Sequence, residues 1–300
     1  MSTALAEPVA MPGGVRGFLR LVAIEHSVFA LPFAYIAALT AMRPDVRWGD
    51  LALVTVAMVA ARTFAMAANR VIDRELDGRN PRTASRELVT GTLPLRTAVA
   101  GMAVSLAVFL AAAAALSPLC LALAPVALVP LTVYPYAKRF TWLCHFVLGL
   151  AQAIAPVGAW VAVTGTVRGW WPAICLGIAV GSWIAGFDLI YACQDVESDR
   201  REGVHSLPAR FGARTALAVS VATHAGTVAL LVAFGRSAHL GTLWWAGVAL
   251  TAAALAYEHR IVRPDDLSRV NRAFFTVNGF VGVGLFGFAL ADLVAHGLHA

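Results

Sequence analysis

The chain has 300 residues, of which 59% are hydrophobic and only 13% charged, with a mean hydropathy of +0.74. An ordinary soluble domain carries about 25% charged residues, so composition excludes that class and leaves an integral membrane protein. The formal net charge of +6 comes from basic residues in short loops beside apolar segments, and no nucleic acid is needed to explain it.

Residues 1–15 hold Glu7, two prolines and two glycines with no basic stretch ahead of them, so they are expected to form a tail rather than a cleaved leader. Residues 16–300 are expected to form a single polytopic domain. A helix needs about 20 apolar residues to cross a bilayer. Segments of that kind lie at 21–42, 50–75, 96–116, 118–137, 142–166, 171–195, 213–235, 239–258 and 270–291, predicting an all-α bundle of nine transmembrane helices. Ser117-Pro118 is the whole connection between the third and fourth, which predicts a tight antiparallel hairpin. With the N-terminus cytoplasmic, 18 of the 23 basic residues fall inside. Arg43, Arg47, Arg168 and Arg236 fall outside, and Arg62 lies within the second segment. This bias follows the positive-inside rule and predicts a multi-pass protein of the inner (plasma) membrane. Cys120, Cys144, Cys175 and Cys193 are isolated, have no metal-ligand spacing and read as core residues.

Two charged blocks interrupt this background. Asn69, Asp73 and Asp77 recur every four residues at the cytoplasmic end of the second segment. Asp195 and Asp199 do the same at the end of the sixth, with Asp188 earlier on nearly the same face. Such spacing puts the oxygens on one side of a helix. Asp73 to Asp195 and Asp77 to Asp199 are both offsets of 122 residues, and a glycine, Gly91 or Gly212, closes each following loop. This pattern suggests an internal duplication, helices 1–4 against 5–8. Carboxylates and a carboxamide are hard ligands suited to Mg²⁺, which is commonly shared with a substrate phosphate. Two bare acidic stripes would repel; bridged through Mg²⁺ to a diphosphate they attract. Arg82 and Arg86 in the first loop and Arg210 in the second offer planar forks for phosphate oxygens. The residues therefore ask for a diphosphate at the membrane surface, its hydrocarbon tail among the helices. Glu75, Arg74, Glu197 and Arg200 lie on the other faces and are expected to be solvated. A transporter would place its charges nearer the bilayer midplane, at broken helices.

The pattern NxxxDxxxD at Asn69, Asp73 and Asp77, the following NPRTASREL, and DxxYAxxDxxxD from Asp188 through Tyr191 and Asp195 to Asp199 resemble the two aspartate-rich motifs of the UbiA superfamily of intramembrane prenyltransferases. VYPYAKRFT, with Tyr134 and Lys138, is similar to the family's YxxxK. The resemblance implies a bundle with a central cavity, a cap of cytoplasmic loops, and Mg²⁺ bound through the aspartates. It also implies transfer of a prenyl chain from its diphosphate to an aromatic acceptor. Lys138 and the arginines would stabilise the departing diphosphate. Tyr134, Tyr191, Phe146 and Phe187 would face the allylic cation, and Asp188 or Asp195 would accept a proton. Arg70 stands where members often carry Asp. Glu25 and His26 occupy the place of polar residues near the family's acceptor pocket, and His26 with Arg20 would recognise an acceptor carboxylate. EHSVFALPFA, NPRTASREL and GVHSLPARFG are similar to the 4-hydroxybenzoate polyprenyltransferase-like subgroup, including the MqnP-like branch that acts on 1,4-dihydroxy-6-naphthoate. One Lys against 22 Arg suggests a GC-rich bacterial genome and favours that menaquinone branch.

Overall fold

The computed structural model describes residues 14–22 and 30–299. Helix α1 spans Gly14–Leu21 and α2 spans Leu31–Met42, so Glu25 and His26 lie outside the described residues. The long helices are α3 (Trp48–Ile72), α6 (Leu95–Leu116), α7 (Pro118–Ala137), α8 (Cys144–Thr164), α9 (Trp171–Ala192), α12 (Ala213–Ser237), α13 (Thr242–Ile261) and α15 (Asn278–Ala295). Short pieces cap one end: α4 (Arg74–Arg79), α5 (Glu87–Thr90), α10 (Val196–Arg201), α11 (Leu207–Phe211) and α14 (Val270–Arg272). Among the described residues, seven helices are long and apolar enough to cross a membrane: α3, α6, α7, α8, α9 with α10, α12 and α15. The expectation of nine thus meets seven that satisfy both conditions: α2 is too short at 12 residues, and α13, long enough at 20, is not apolar enough.

Local sequence explains the boundaries. The Ser117 hydroxyl accepts the Cys120 N–H at 3.1 Å and starts α7, as its hairpin position predicts. Gly91 and Gly212 both have positive φ, 75° and 84°, so the two loop-closing glycines occupy backbone that other residues rarely adopt. Val104, Val129 and Val283 are exposed, as a lipid-facing surface requires. Trp48 and Trp171 begin α3 and α9 and are exposed at the end opposite the aspartates, where an interfacial aromatic belt belongs.

Helix α9 is the central element, packed against α8 and α12 and buried along most of its length. Its contact with α8 is glycine-lined. A Cβ on Gly149 would strike the Gly181 carbonyl, one on Gly177 would lie 2.6 Å from the Ala153 carbonyl, and one on Gly181 would lie 2.8 Å from the Gly149 carbonyl. Small residues at four-residue spacing let two membrane helices approach backbone to backbone, where van der Waals packing does the work that hydrophobicity does in water. The aspartate-bearing ends of α3 and α9 thereby reach the same end of the bundle, beside the start of α8.

Candidate active site

Both aspartate blocks line one polar cavity of about 380 Å³. Helix α3 ends at Asp73, whose backbone (φ −91°, ψ 1°) leaves the helix for one residue before α4 resumes. On the opposite wall, a 3₁₀ turn at Cys193–Asp195 shifts the register between α9 and α10, so Asp188, Asp195 and Asp199 approach from different depths. The loop carrying Asn80, Arg82 and Arg86 crosses between the walls.

Each acid has a partner. Asp73 is fully buried and receives Lys138 Nζ at 2.7 Å and the Asn69 amide at 2.8 Å on Oδ2, with Arg139 at 3.4 Å from Oδ1. Buried Asp77 accepts from Arg86 Nη1 at 2.5 Å. Arg82 grips Asp195 with a fork, Nη2 to Oδ2 at 2.6 Å and Nε to Oδ1 at 3.0 Å, and donates to the Tyr191 hydroxyl at 3.2 Å. Burial works to lower the Arg82 pKa, but the hydrogen bond and charge of Asp195 outweigh it and raise the group above its ordinary value. Asp199 accepts from the Ser206 hydroxyl at 2.6 Å, and Asp188 meets His145 Nδ1 at 2.7 Å. Like charges that would repel across an empty cavity are thus each held by a base or a hydroxyl. Arg70, unplaced by the motif, lines the cavity and donates to the Leu21 carbonyl at 3.2 Å.

Not every expected residue reaches this cavity. Arg20 and Arg210 are exposed and do not line it, and Arg210 lies over the Phe211 ring at 5.3 Å. His26 lies outside the described residues. Phe187 packs edge-on against Trp183, and Phe146 packs beside the α9–α12 core; neither lines a cavity described here. Tyr134 and Tyr191 do line the polar one. Arg74 and Arg200 are exposed, as expected, and each also donates to a carbonyl of the cap, Leu88 at 3.0 Å and Ala209 at 2.8 Å.

Two contributors were not singled out from sequence. His145 is a single histidine at a helix start, which carries no pattern. Arg62 was set apart only as the basic residue inside a span. It lines the polar cavity and also a second, almost wholly apolar cavity of about 520 Å³ formed by α3, α6, α7, α8 and α9, so the two spaces abut at its side chain. Arg62 has no hydrogen-bond partner among the described residues, and an ionisable group at membrane depth is a functional candidate by default.

A chamber lined by both acids and bases abuts an apolar one among membrane helices, an arrangement suited to an amphiphile with a charged head. The model of the UbiA prenyltransferase family matches residues 30–280, and the chain belongs to that family. It is a prenyltransferase, which decides against the transporter alternative. Among curated relatives it is similar to the 4-hydroxybenzoate octaprenyltransferase of Xanthomonas euvesicatoria pv. vesicatoria, 34% identical over 80% of this chain and 79% of that one. It is also similar to the mitochondrial 4-hydroxybenzoate polyprenyltransferase of Schizosaccharomyces pombe, 32% identical over 73% of this chain; the match spans only 62% of that protein. A solved UbiA homolog from Aeropyrum pernix K1, in its apo form, superposes with a TM-score of 0.82 at 36% identity, covering 89% of this chain and 98% of that one. A UbiA homolog from Archaeoglobus fulgidus bound to GPP and Mg²⁺ shares the fold, with a TM-score of 0.73 at 21% identity over 93% and 99% of the two chains.

Among the described residues no three His, Cys, Asp or Glu side chains converge on one point as a ready metal cage. The donor set nevertheless fits Mg²⁺. The ion prefers one or two carboxylates and completes its shell with water and phosphate oxygens, and carboxylates stand on both walls of one cavity.

Proposed function

We propose that this protein transfers a polyprenyl chain from its diphosphate to an aromatic hydroxy acid of the 4-hydroxybenzoate type, in the making of a respiratory quinone. The observation that carries this reading is the pair of aspartate blocks facing each other across a polar chamber that abuts an apolar one at Arg62. Asp73, Asp77, Asp195 and Asp199, with Asn69, would hold Mg²⁺. Bound there, Mg²⁺ supplies charge neutralisation of the diphosphate as the allylic C–O bond ionises. Lys138, Arg82 and Arg86 then trade carboxylate partners for phosphate oxygens, and the apolar chamber takes the prenyl tail away from water. Tyr134 and Tyr191 face the cation, a contact worth about 0.5–2 kcal/mol for each ring. The relatives' names favour the benzoate over the naphthoate acceptor expected from composition. We read α2 and α13 as marking two further crossings, giving nine. The basic residues support placing the site on the cytoplasmic face of the inner membrane.

The test is transfer from radiolabelled polyprenyl diphosphate in membranes supplied with Mg²⁺ and either 4-hydroxybenzoate or 1,4-dihydroxy-6-naphthoate. A lipid-soluble product is expected with the benzoate and none after EDTA; product with neither acceptor, or undiminished product in EDTA, overturns the reading, and product with the naphthoate alone overturns the acceptor. Arg86→Ala is expected to raise the KM for the prenyl diphosphate about 10-fold, the scale of one charge-assisted hydrogen bond. An unchanged KM would remove Arg86 from phosphate binding.

A further inference from the structure

We infer that His145 is a positioning residue that holds Asp188 as an ionised, correctly aimed proton acceptor for the acceptor's phenol. This rests on the reading of the acceptor as a phenolic acid.

The argument begins with burial. His145 is 3% exposed and stands behind Asp188, whose side chain is 27% exposed into the polar cavity. The ring makes two hydrogen bonds. Nε2 accepts the Leu207 backbone N–H at 3.4 Å, so the proton of the neutral ring sits on Nδ1, which donates to Asp188 Oδ2 at 2.7 Å. The other carboxylate oxygen, Oδ1, has no hydrogen-bond partner among the described residues. One oxygen is therefore tied down from behind, and the other is left for a ligand. Unlike Asp73, Asp77 and Asp195, Asp188 has no Lys or Arg ion pair among the described residues, so the diphosphate head does not need it as an exchange partner. A hydrogen bond to the charged form of a carboxylate favours that form.

The chemistry balances as follows. The phenol O–H proton moves to Asp188 Oδ1, enriching the ring. The allylic C–O bond breaks with its electron pair leaving on the diphosphate, and the ring carbon ortho to the oxygen-bearing carbon forms the new C–C bond. The ring proton displaced at that carbon goes to the released diphosphate, and Asp188 returns its proton to the oxygen as the ring regains aromaticity. His145 cannot carry the proton onward, because its second nitrogen faces a donor.

The test compares His145→Leu with His145→Asn. Leu keeps bulk without a donor, whereas the Asn amide nitrogen falls near the place of Nδ1. With 4-hydroxybenzoate, His145→Leu is expected to lower kcat about 10- to 100-fold, a fraction of the roughly 10²- to 10⁴-fold that acid–base assistance supplies, with the KM for prenyl diphosphate within about twofold of wild type. His145→Asn should recover most of the loss. A fluorinated 4-hydroxybenzoate with one free ortho position and a phenol already ionised at the assay pH should shrink the gap between wild type and His145→Leu. The inference is overturned if Leu and Asn variants are equally impaired, if the loss appears in the KM for prenyl diphosphate, or if the pre-ionised acceptor leaves the gap unchanged. A wild-type enzyme inactive with any phenolic acid would instead overturn the function on which this rests.

Discussion

Asp73→Ala and Asp195→Ala are each expected to lower kcat for prenyl transfer by about 10²- to 10³-fold, the scale of losing one preorganised electrostatic contact to a charge-developing transition state. The two variants should differ in how they fail. Asp73 is 1% exposed and collects Lys138, Arg139 and Asn69. Its removal leaves two cations facing a small void, so the prenyl diphosphate should still bind while the bond no longer breaks. Among the described residues the one ion-pair partner of Asp195 is Arg82, and that freed guanidinium can turn toward phosphate, so the KM should hold or fall. Steady-state kinetics in detergent with both substrates varied would show this. Transfer within tenfold of wild type in either variant would take that residue out of the proposed clamp.

Gly149→Val is expected to cost about 3 kcal/mol or more of stability, the upper range for overpacking a dense interface, read as a lower thermal midpoint and less folded protein in membranes. The new side chain collides with the Gly181 carbonyl, a backbone atom that no rotamer change can move. Gly158 lies on the same helix with nothing within 4 Å of an added Cβ, so Gly158→Ala should leave the midpoint unchanged. An undisturbed Gly149→Val protein would mean that α8 and α9 do not meet through this seam. His145 sits one turn before Gly149 on α8, and Asp188 follows Gly181 and Ala185 on α9. The milder Gly149→Ala should therefore also slow transfer by widening the gap between His145 and Asp188.

Most helix boundaries were legible because long apolar runs have few alternatives in a bilayer: the expected 118–137 and the observed Pro118–Ala137 coincide. The ninth run was less legible, since α15 begins only at Asn278, after a π-helical turn at Ala273–Val277 that hydropathy does not reveal. The aspartates were legible through their four-residue spacing. Their depths were not, because spacing assumes an unbroken helix and both blocks contain a break, at Asp73 and at Cys193–Asp195. Arg210, expected as a phosphate contact from its place in the second loop, does not line the cavity. Arg86 and Arg82 come from a loop that folds back across the cavity, whereas Arg210 ends the short α11 and leans on Phe211 instead. His145 was invisible for a different reason: its partner lies 43 residues away on another helix, and only packing brings them together.

The ion pairs that close the site also bear on how it empties. A diphosphate that has lost its prenyl chain is more highly charged than the substrate, and a chamber lined only with cations would keep it. Here Lys138, Arg86 and Arg82 have Asp73, Asp77 and Asp195 to return to. On the proposed reading, departure of the product would exchange one set of partners for another and strand no charge in a low-dielectric wall. On that reading, the acids would act in turnover as well as in binding, as internal competitors that limit how long the spent head group can stay.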